Sequence, residues 1–446
     1  MLKTIKITKL FGRFDYRLDF SDDGIMIITG PNGYGKSTIL RIINNFCNDS
    51  LEKVLAYSFK KLVILCEGNS VVISKNKNFF KIGDYDFPYP NKKWERRNGL
   101  PPYLRRVGYD EYIDMRTSEK IKLMGGVPHQ LSLWDDQIVD DKFAFSILDS
   151  IDITSSVKLK DKMEELRKAF QLIRDVQSEI GKVHFIQEQR LIEKREVSEE
   201  GRRYGEPKTE YITVINENSK KLKDELAEIM KKHSSLSSNL DSSYIKRLLE
   251  ADKTTIVTDE FFDSLRELQK KQEKLQKYGL AETKNALYLS YLEENKLSRF
   301  GIELSIYLED ANAKYQVFES IIDKLELYER IVNEKLAFKK MYLSSSEGIV
   351  VKTDEGEPLL LSDLSSGEQE ILVLFYKLIF ESDVNLLLID EPEISLHIAW
   401  QKELMENLKS IVNLKKNIQV IIATHSPQII SHNWDLQIDL GGLHNG

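Results

Sequence analysis

The chain has 446 residues, 41% hydrophobic and 30% charged, with a formal charge of −7. That balance describes a soluble globular protein rich in exposed helix, and it argues against a broadly basic nucleic-acid binder while leaving room for a local basic patch. The length exceeds one ordinary core, so two lobes are expected. No apolar run approaches a membrane span, and the first six residues form no signal peptide, so a cytoplasmic protein without membrane attachment is expected.

Residues 3–10 and 14–20 alternate apolar and polar side chains and predict two strands. Ile25-Met26-Ile27-Ile28 then reads as a buried strand, and Thr38 to Ile43 as the start of a helix. Between them lies Gly30-Pro31-Asn32-Gly33-Tyr34-Gly35-Lys36-Ser37, which fits the phosphate-loop pattern G-x-x-x-x-G-K-[ST]. Glycines let backbone N–H groups turn around a polyphosphate, and the helix start adds its positive end. Asn32, Gly33, Gly35, Lys36, Ser37 and Thr38 are therefore candidate ATP-binding residues, with Lys36 on the terminal phosphates and Ser37 on Mg²⁺. Lys61 to Cys66 and Val71 to Ser74 flank a turn and predict a hairpin. Cys47 and Cys66 lack metal-ligand spacing and read as buried thiols.

From about residue 85 to 112 the character changes to a proline-, tyrosine- and arginine-rich stretch. It holds Arg96, Arg97, Arg105 and Arg106; basic and aromatic interleaving of this kind can bind nucleic acid or an acidic partner, and the plain reading is an ordered surface loop. Pro207 is the only proline between Pro128 and Pro358, so long helices are permitted there. Ser156 to Glu179 predicts a helix running into a short strand at Val183 to Ile186, and residues 198–208 read as a loop. Apolar stripes at Leu222, Leu226 and Ile229, at Leu265, Leu268 and Leu275, and from Ile302 to Leu336 predict packed helices. The polar tract Lys231 to Ser243 is expected to bend between two of them. Strands are predicted at 337–343, 348–353 and 359–361, a helix from Gly367, a buried strand at 385–389, a helix from Ile398 and a strand at 418–424.

Three later stretches carry chemistry. Leu386 to Ile389 delivers Asp390 and Glu391 to a sheet edge, where Asp390 suits a metal ion and Glu391 an attacking water. Leu364-Ser365-Ser366-Gly367-Glu368-Gln369 opens a helix with hydroxyls and free N–H groups, although by itself it is also a plain helix cap. Val420 to Ala423 leads to Thr424 and then His425, a histidine placed to meet a terminal phosphate.

In order and spacing these stretches resemble the ABC-type ATPases of the branch that contains SMC, Rad-type repair, RecF and OLD proteins. The resemblance implies an α/β P-loop NTPase head, a mixed sheet with flanking helices, split by an inserted helical lobe. On that pattern residues 1–150 and 337–446 are the two halves of the head, and 151–336 the insertion, with a Gln-loop-like strand end at 183–190. The resemblance implies Gln187 or Gln189 as the Gln of that loop. It also implies Ser366, Gly367 and Glu368 as a signature acting on ATP held by a second copy, and His425 as the switch histidine. A head-to-head dimer or higher homo-oligomer follows. Leu396-His397 after the acids is similar to OLD-related ATPases of bacterial defence. The size and make-up resemble stand-alone ATPase subunits of two-gene anti-phage systems, of the AriA type of PARIS or the PtuA type of Septu. That implies a sensor-scaffold that holds a separate Toprim or HNH nuclease and answers a phage protein, with nucleic acid possible but not required. The alternative is a RecF-like DNA-repair ATPase.

Overall fold

A computed structural model describes residues 1–21, 23–48, 51–89, 104–106, 111–114, 120–122, 147, 156–186, 192–197, 208–250, 259–281, 300–381, 384–395 and 397–444. In chain order the elements begin with β1 (Leu2–Leu10), β2 (Phe14–Asp19), β3 (Ile25–Thr29), α1 (Lys36–Cys47) and α2 (Leu51–Ala56). There follow β4 (Lys61–Cys66), β5 (Ser70–Lys75), β6 (Phe79–Ile82), β7 (Tyr85–Pro88), β8 (Leu104–Arg106), β9 (Glu111–Asp114) and β10 (Lys120–Lys122). The middle holds α3 (Ser156–Ile180), β11 (Lys182–Ile186), β12 (Ile192–Val197), β13 (Lys208–Thr213), α4 (Val214–Glu250), α5 (Asp259–Lys277) and α6 (Gly301–Asn333). The last stretch holds β14 (Lys339–Ser344), β15 (Gly348–Thr353), β16 (Pro358–Leu359), α7 (Ser366–Phe380), β17 (Val384–Asp390) and α8 (Ile398–Lys415). It closes with β18 (Gln419–Ala423), α9 (Pro427–Ile430), β19 (Gln437–Asp439) and α10 (Leu440–His444).

The chain divides into two compact units. The first gathers residues 1–187, 383–393 and 417–446. Its central sheet runs in the order β11-β17-β18-β3-β19, and every neighbouring pair in it is parallel. Parallel strands covered on both faces read as unbroken apolar runs, and both β3 and β18 are buried at every residue. A second, antiparallel sheet runs β2-β1-β4-β5-β6-β7. One hydrophobic core joins residues from both sheets with the apolar faces of α1 and α3, including Ile5, Ile28, Ile39, Ile43, Ile64, Phe170 and Leu388. Strand β7 occupies Tyr85 to Pro88, where the sequence suggested only the start of a loop, and forms a hairpin with β6; Phe80 and Phe87 pair across it and are fully buried. Two apolar residues facing inward on a short hairpin outweigh the prolines that follow.

The second unit gathers residues 188–382 and 394–416. Past its first turn, helix α7 is apolar on nearly every side, and Ile371 to Tyr376 and Leu378 to Phe380 are buried. A helix without a polar face must sit inside a core. Tyr328 on α6 donates from its hydroxyl to the Leu372 carbonyl at 2.9 Å and meets Phe380 edge-on at 5.4 Å. The sheet β14-β15-β16 buries Met341, Leu343, Ile349 and Val351 on one face.

One expectation fails in this unit. The polar tract Lys231 to Ser243 does not separate two helices, and α4 runs unbroken for 37 residues. Serine disfavours helix interiors because its hydroxyl competes for backbone groups, but that preference amounts to tenths of a kcal/mol per residue. Contacts to α6 outweigh it. His233 lies 4.9 Å from the Phe318 ring, Lys314 pairs with Asp241 at 2.9 Å, and Arg247 grips Asp310 through two nitrogens at 2.5 and 2.7 Å.

Of the loop expected at 198–208, residues 198–207 lie outside the described residues, as do Arg96, Arg97, Gln187 and Gln189, and Lys208 opens β13. Arg105 and Arg106 fall on β8, which pairs with β9 in a three-stranded antiparallel sheet.

Candidate nucleotide site

The parallel sheet of the first unit sets its strand ends level. Asp390 stands beside Ala423 on β18, and Ala423 beside Ile28 on β3. The ladder continues one step further, because Glu391 N–H donates to the Ala423 carbonyl at 2.9 Å and Thr424 N–H to the Ile28 carbonyl at 3.1 Å. Three chain segments far apart in sequence therefore leave the sheet at one edge: the loop from Gly30, the acids at 390–391, and the turn at 424–426. In open parallel sheets this carboxyl edge is where ligands bind.

The loop from Gly30 closes onto α1 at Gly35. Gly35 has φ +93°, and a Cβ there would stand 2.8 Å from Leu10 Cδ2, so only glycine fits. Tyr16 braces the loop by donating from its hydroxyl to the Tyr34 carbonyl at 2.9 Å, and Phe14 packs on the Tyr34 ring at 5.0 Å. Asn32 and Gly33 are exposed at the loop's tip, and Thr38 is half-buried on the first turn of α1.

Lys36 begins α1 and is 5% exposed. Its ammonium donates to the Gly30 carbonyl at 3.0 Å and lies 2.5 Å from His425 Nε2. Burial lowers its pKa from the ordinary lysine value, and the carboxylates of Glu391, Asp390 and Glu393 partly oppose that shift. Ser37 donates from its hydroxyl to Asp390 Oδ1 at 2.9 Å, although 353 positions separate them. Asp390 is 8% exposed. A hydroxyl and a carboxylate held together at the end of a buried strand are hard oxygen donors, and they fit Mg²⁺.

Glu391 has φ +45°, a left-handed backbone that a residue with a Cβ adopts at a cost of about 1–3 kcal/mol. The kink follows directly on β17, and Glu391 Oε1 lies 3.6 Å from His425 Nε2. Lys36, Ser37, Asp390, Glu391 and His425 thus form one connected cluster.

Glu393 belongs to the same edge, and the sequence motifs did not single it out. Its Oε1 accepts from Thr424 Oγ1 at 2.8 Å, from His425 N–H at 2.6 Å and from Ser426 N–H at 3.1 Å. An acid two positions past Glu391 was the only local signal available.

The signature candidates lie in the second unit. Ser365 caps α7 in a reciprocal capping box, with Glu368 N–H donating to Ser365 Oγ and Ser365 N–H to Glu368 Oε2. Lys339 adds an ion pair to Glu368 at 3.1 Å. Burial pushes the Glu368 carboxyl upward, but the bonds from Ser365 and Lys339 outweigh it and hold the pKa below the ordinary value. Ser366 is exposed in the first turn. A Cβ on Gly367 would meet Trp400 Cζ3 at 3.7 Å, an ordinary contact, so no described neighbour requires glycine there.

Across the described residues no helix is long and apolar enough to cross a membrane. The sequence matches the AAA ATPase domain family, AAA_15, over residues 1–430. Among solved structures it is similar to an Smc head domain with an extended coiled coil, bound to the C-terminal domain of ScpA, from Pyrococcus furiosus. That likeness has 11% identity, 96% coverage of this chain, 91% of that chain and a TM-score of 0.35. It is also similar to the SMC head domain from Thermotoga maritima, with 12% identity, 96% and 90% coverage and a TM-score of 0.32. The match across residues 1–430, on a fold that carries a phosphate loop and a carboxylate pair at one sheet edge, makes the chain a member of the AAA ATPase domain family, with a P-loop head and ATPase activity.

Proposed function

We propose that this ATPase works as the sensor-scaffold subunit of a bacterial anti-phage complex, holding and releasing a separate nuclease as it binds and hydrolyses ATP. The observation that carries the ATPase half is the connected cluster of Lys36, Ser37, Asp390, Glu391 and His425 at the carboxyl edge of the parallel sheet. In this reading Lys36 sets its charge against the terminal phosphates, and Glu391 accepts the proton of the attacking water. Ser37 and Asp390 would hold Mg²⁺, which when bound neutralises charge on phosphate oxygens. His425, aimed at Lys36 and Glu391, senses the terminal phosphate. Asn32, Gly33, Gly35 and Thr38 complete the cradle, and Gln187 or Gln189 is the proposed Gln-loop residue.

The exposed Ser366 and a glycine with no local need at 367 support a signature that faces another molecule. The proposed unit is therefore at least a two-fold dimer, in which each signature completes the partner's site. The scaffold half rests on the Leu396-His397 form after the acids, which is similar to defence ATPases. A two-state assembly of this kind is driven by the difference in nucleotide contacts between its states.

The test uses the full chain with and without a co-encoded nuclease. Alone, with ATP and Mg²⁺, the protein should leave DNA and RNA intact. With the nuclease, Glu391→Gln should keep ATP bound, slow hydrolysis by roughly a hundredfold and block release of the partner. Nucleic-acid degradation by the lone protein that disappears in Glu391→Gln would overturn the scaffold reading.

A further inference from the structure

The turn that follows β18 is built around a carboxylate supplied from another strand end. His425 N–H and Ser426 N–H are successive and both point at Glu393 Oε1, at 2.6 and 3.1 Å. Successive N–H groups aimed at one point form an anion-binding concavity. Here the anion is built into the chain. Thr424, fully buried, closes the arrangement by donating from Oγ1 to the same oxygen at 2.8 Å and accepting from Ser426 N–H at 2.9 Å. The His425 backbone is thereby fixed from one side while its ring reaches Lys36 and Glu391 on the other.

We propose that Glu393 is a positioning residue: its carboxylate clamps the turn 424–426 and so sets where the His425 ring stands relative to Lys36 and Glu391. Three donors on one oxygen leave the turn a single geometry, and hydrogen bonds to a carboxylate are about twice as strong as neutral ones. All three of these bonds end on the turn that carries His425, and the proposed route from Glu393 to turnover passes through that residue rather than through the carboxylate's field at Lys36, the smallest of the three carboxylate contributions there. This inference rests on the reading of His425 as an ATPase residue, and the experiment separates the two.

Hydrogen exchange on the nucleotide-free protein reads the clamp directly. Glu393→Ala should speed exchange of the His425 amide by about tenfold or more, since that donor loses its acceptor, and exchange of the Ser426 amide by less, since it keeps Thr424 Oγ1. Glu393→Gln, which keeps a carbonyl oxygen at the same reach, should restore most of the protection. In ATPase assays Glu393→Ala should lower kcat by up to about a hundredfold, the scale on which small misplacements act, with KM for ATP changed by less than about threefold. Glu393→Ala combined with His425→Ala should be no slower than His425→Ala alone, because a residue that works through another adds nothing once that one is gone. Unchanged amide protection in Glu393→Ala overturns the clamp, and so do additive losses in the double variant. Parent-rate turnover in His425→Ala, with protection lost in Glu393→Ala, upholds the clamp and overturns the reading of His425 as an ATPase residue.

Discussion

The nucleotide edge of the first unit and the signature helix of the second solve the same problem, placing polar groups where an anion can reach them, in opposite ways. At the nucleotide edge the two phosphate-loop side chains lean on residues hundreds of positions away: Ser37 on Asp390, Lys36 on His425. At the signature, Ser365 and Glu368 satisfy one another across a single helical turn, and Lys339 lies only 29 positions upstream. A site assembled from strand ends depends on sheet register, because a slip of one residue moves every side chain to the other face. A capped helix start depends on local sequence alone. The first therefore has structure to lose when a distant strand shifts, whereas the second is formed before any partner arrives.

The comparison breaks most visibly if the two regions act in one protomer. Lys36→Ala should abolish ATP binding, and Ser366→Arg, at an exposed position, should block hydrolysis without disturbing the fold. Mixing the two variants should restore about a quarter of parent ATPase activity, since half the dimers are mixed and each carries one intact site. No recovery on mixing, with each variant folded, would place both regions of one active site in a single chain.

The next effect concerns α4, whose long unbroken run is held by packing. Ser238→Pro should destabilise the protein by about 3 kcal/mol in urea unfolding, because it removes a hydrogen bond and clashes with the preceding turn. Tolerance of proline at 238 would mean that the helix breaks there after all.

The smallest effect tests how local the signature is. Glu368→Ala should cost about 1 kcal/mol through loss of the capping box. Its pKa in the folded chain lies below the ordinary 4.5, so the charged form is the one stabilised. That stability is present above the unfolded value and is lost as pH falls through the lower folded value. Thermal melts should show the variant's deficit in full near pH 7 and closing in acid. A deficit that persists unchanged at low pH would assign it to packing.

Much of this was legible in the sequence wherever the controlling interactions are short. The strand, loop and helix around Gly30 to Ser37, the buried runs at β17 and β18, and the helix opening at Ser366 each follow from neighbours a few residues apart. Apolar periodicity, glycine at positive φ and cap chemistry act over that distance, so sequence determines them. Tertiary structure decided the rest. Glu393 is one acid among many until β17 and β18 lie level and bring it to the 424–426 turn. The strand β19 has only three residues and no telling pattern, yet it pairs with β3 and is tied to it by a bond at 2.6 Å between Gln437 and Thr29. The serines of α4 argue for a break until Phe318, Lys314 and Asp310 on α6 hold the helix in one run. In each case a local preference of tenths of a kcal/mol meets contacts worth more, made with residues tens to hundreds of positions away.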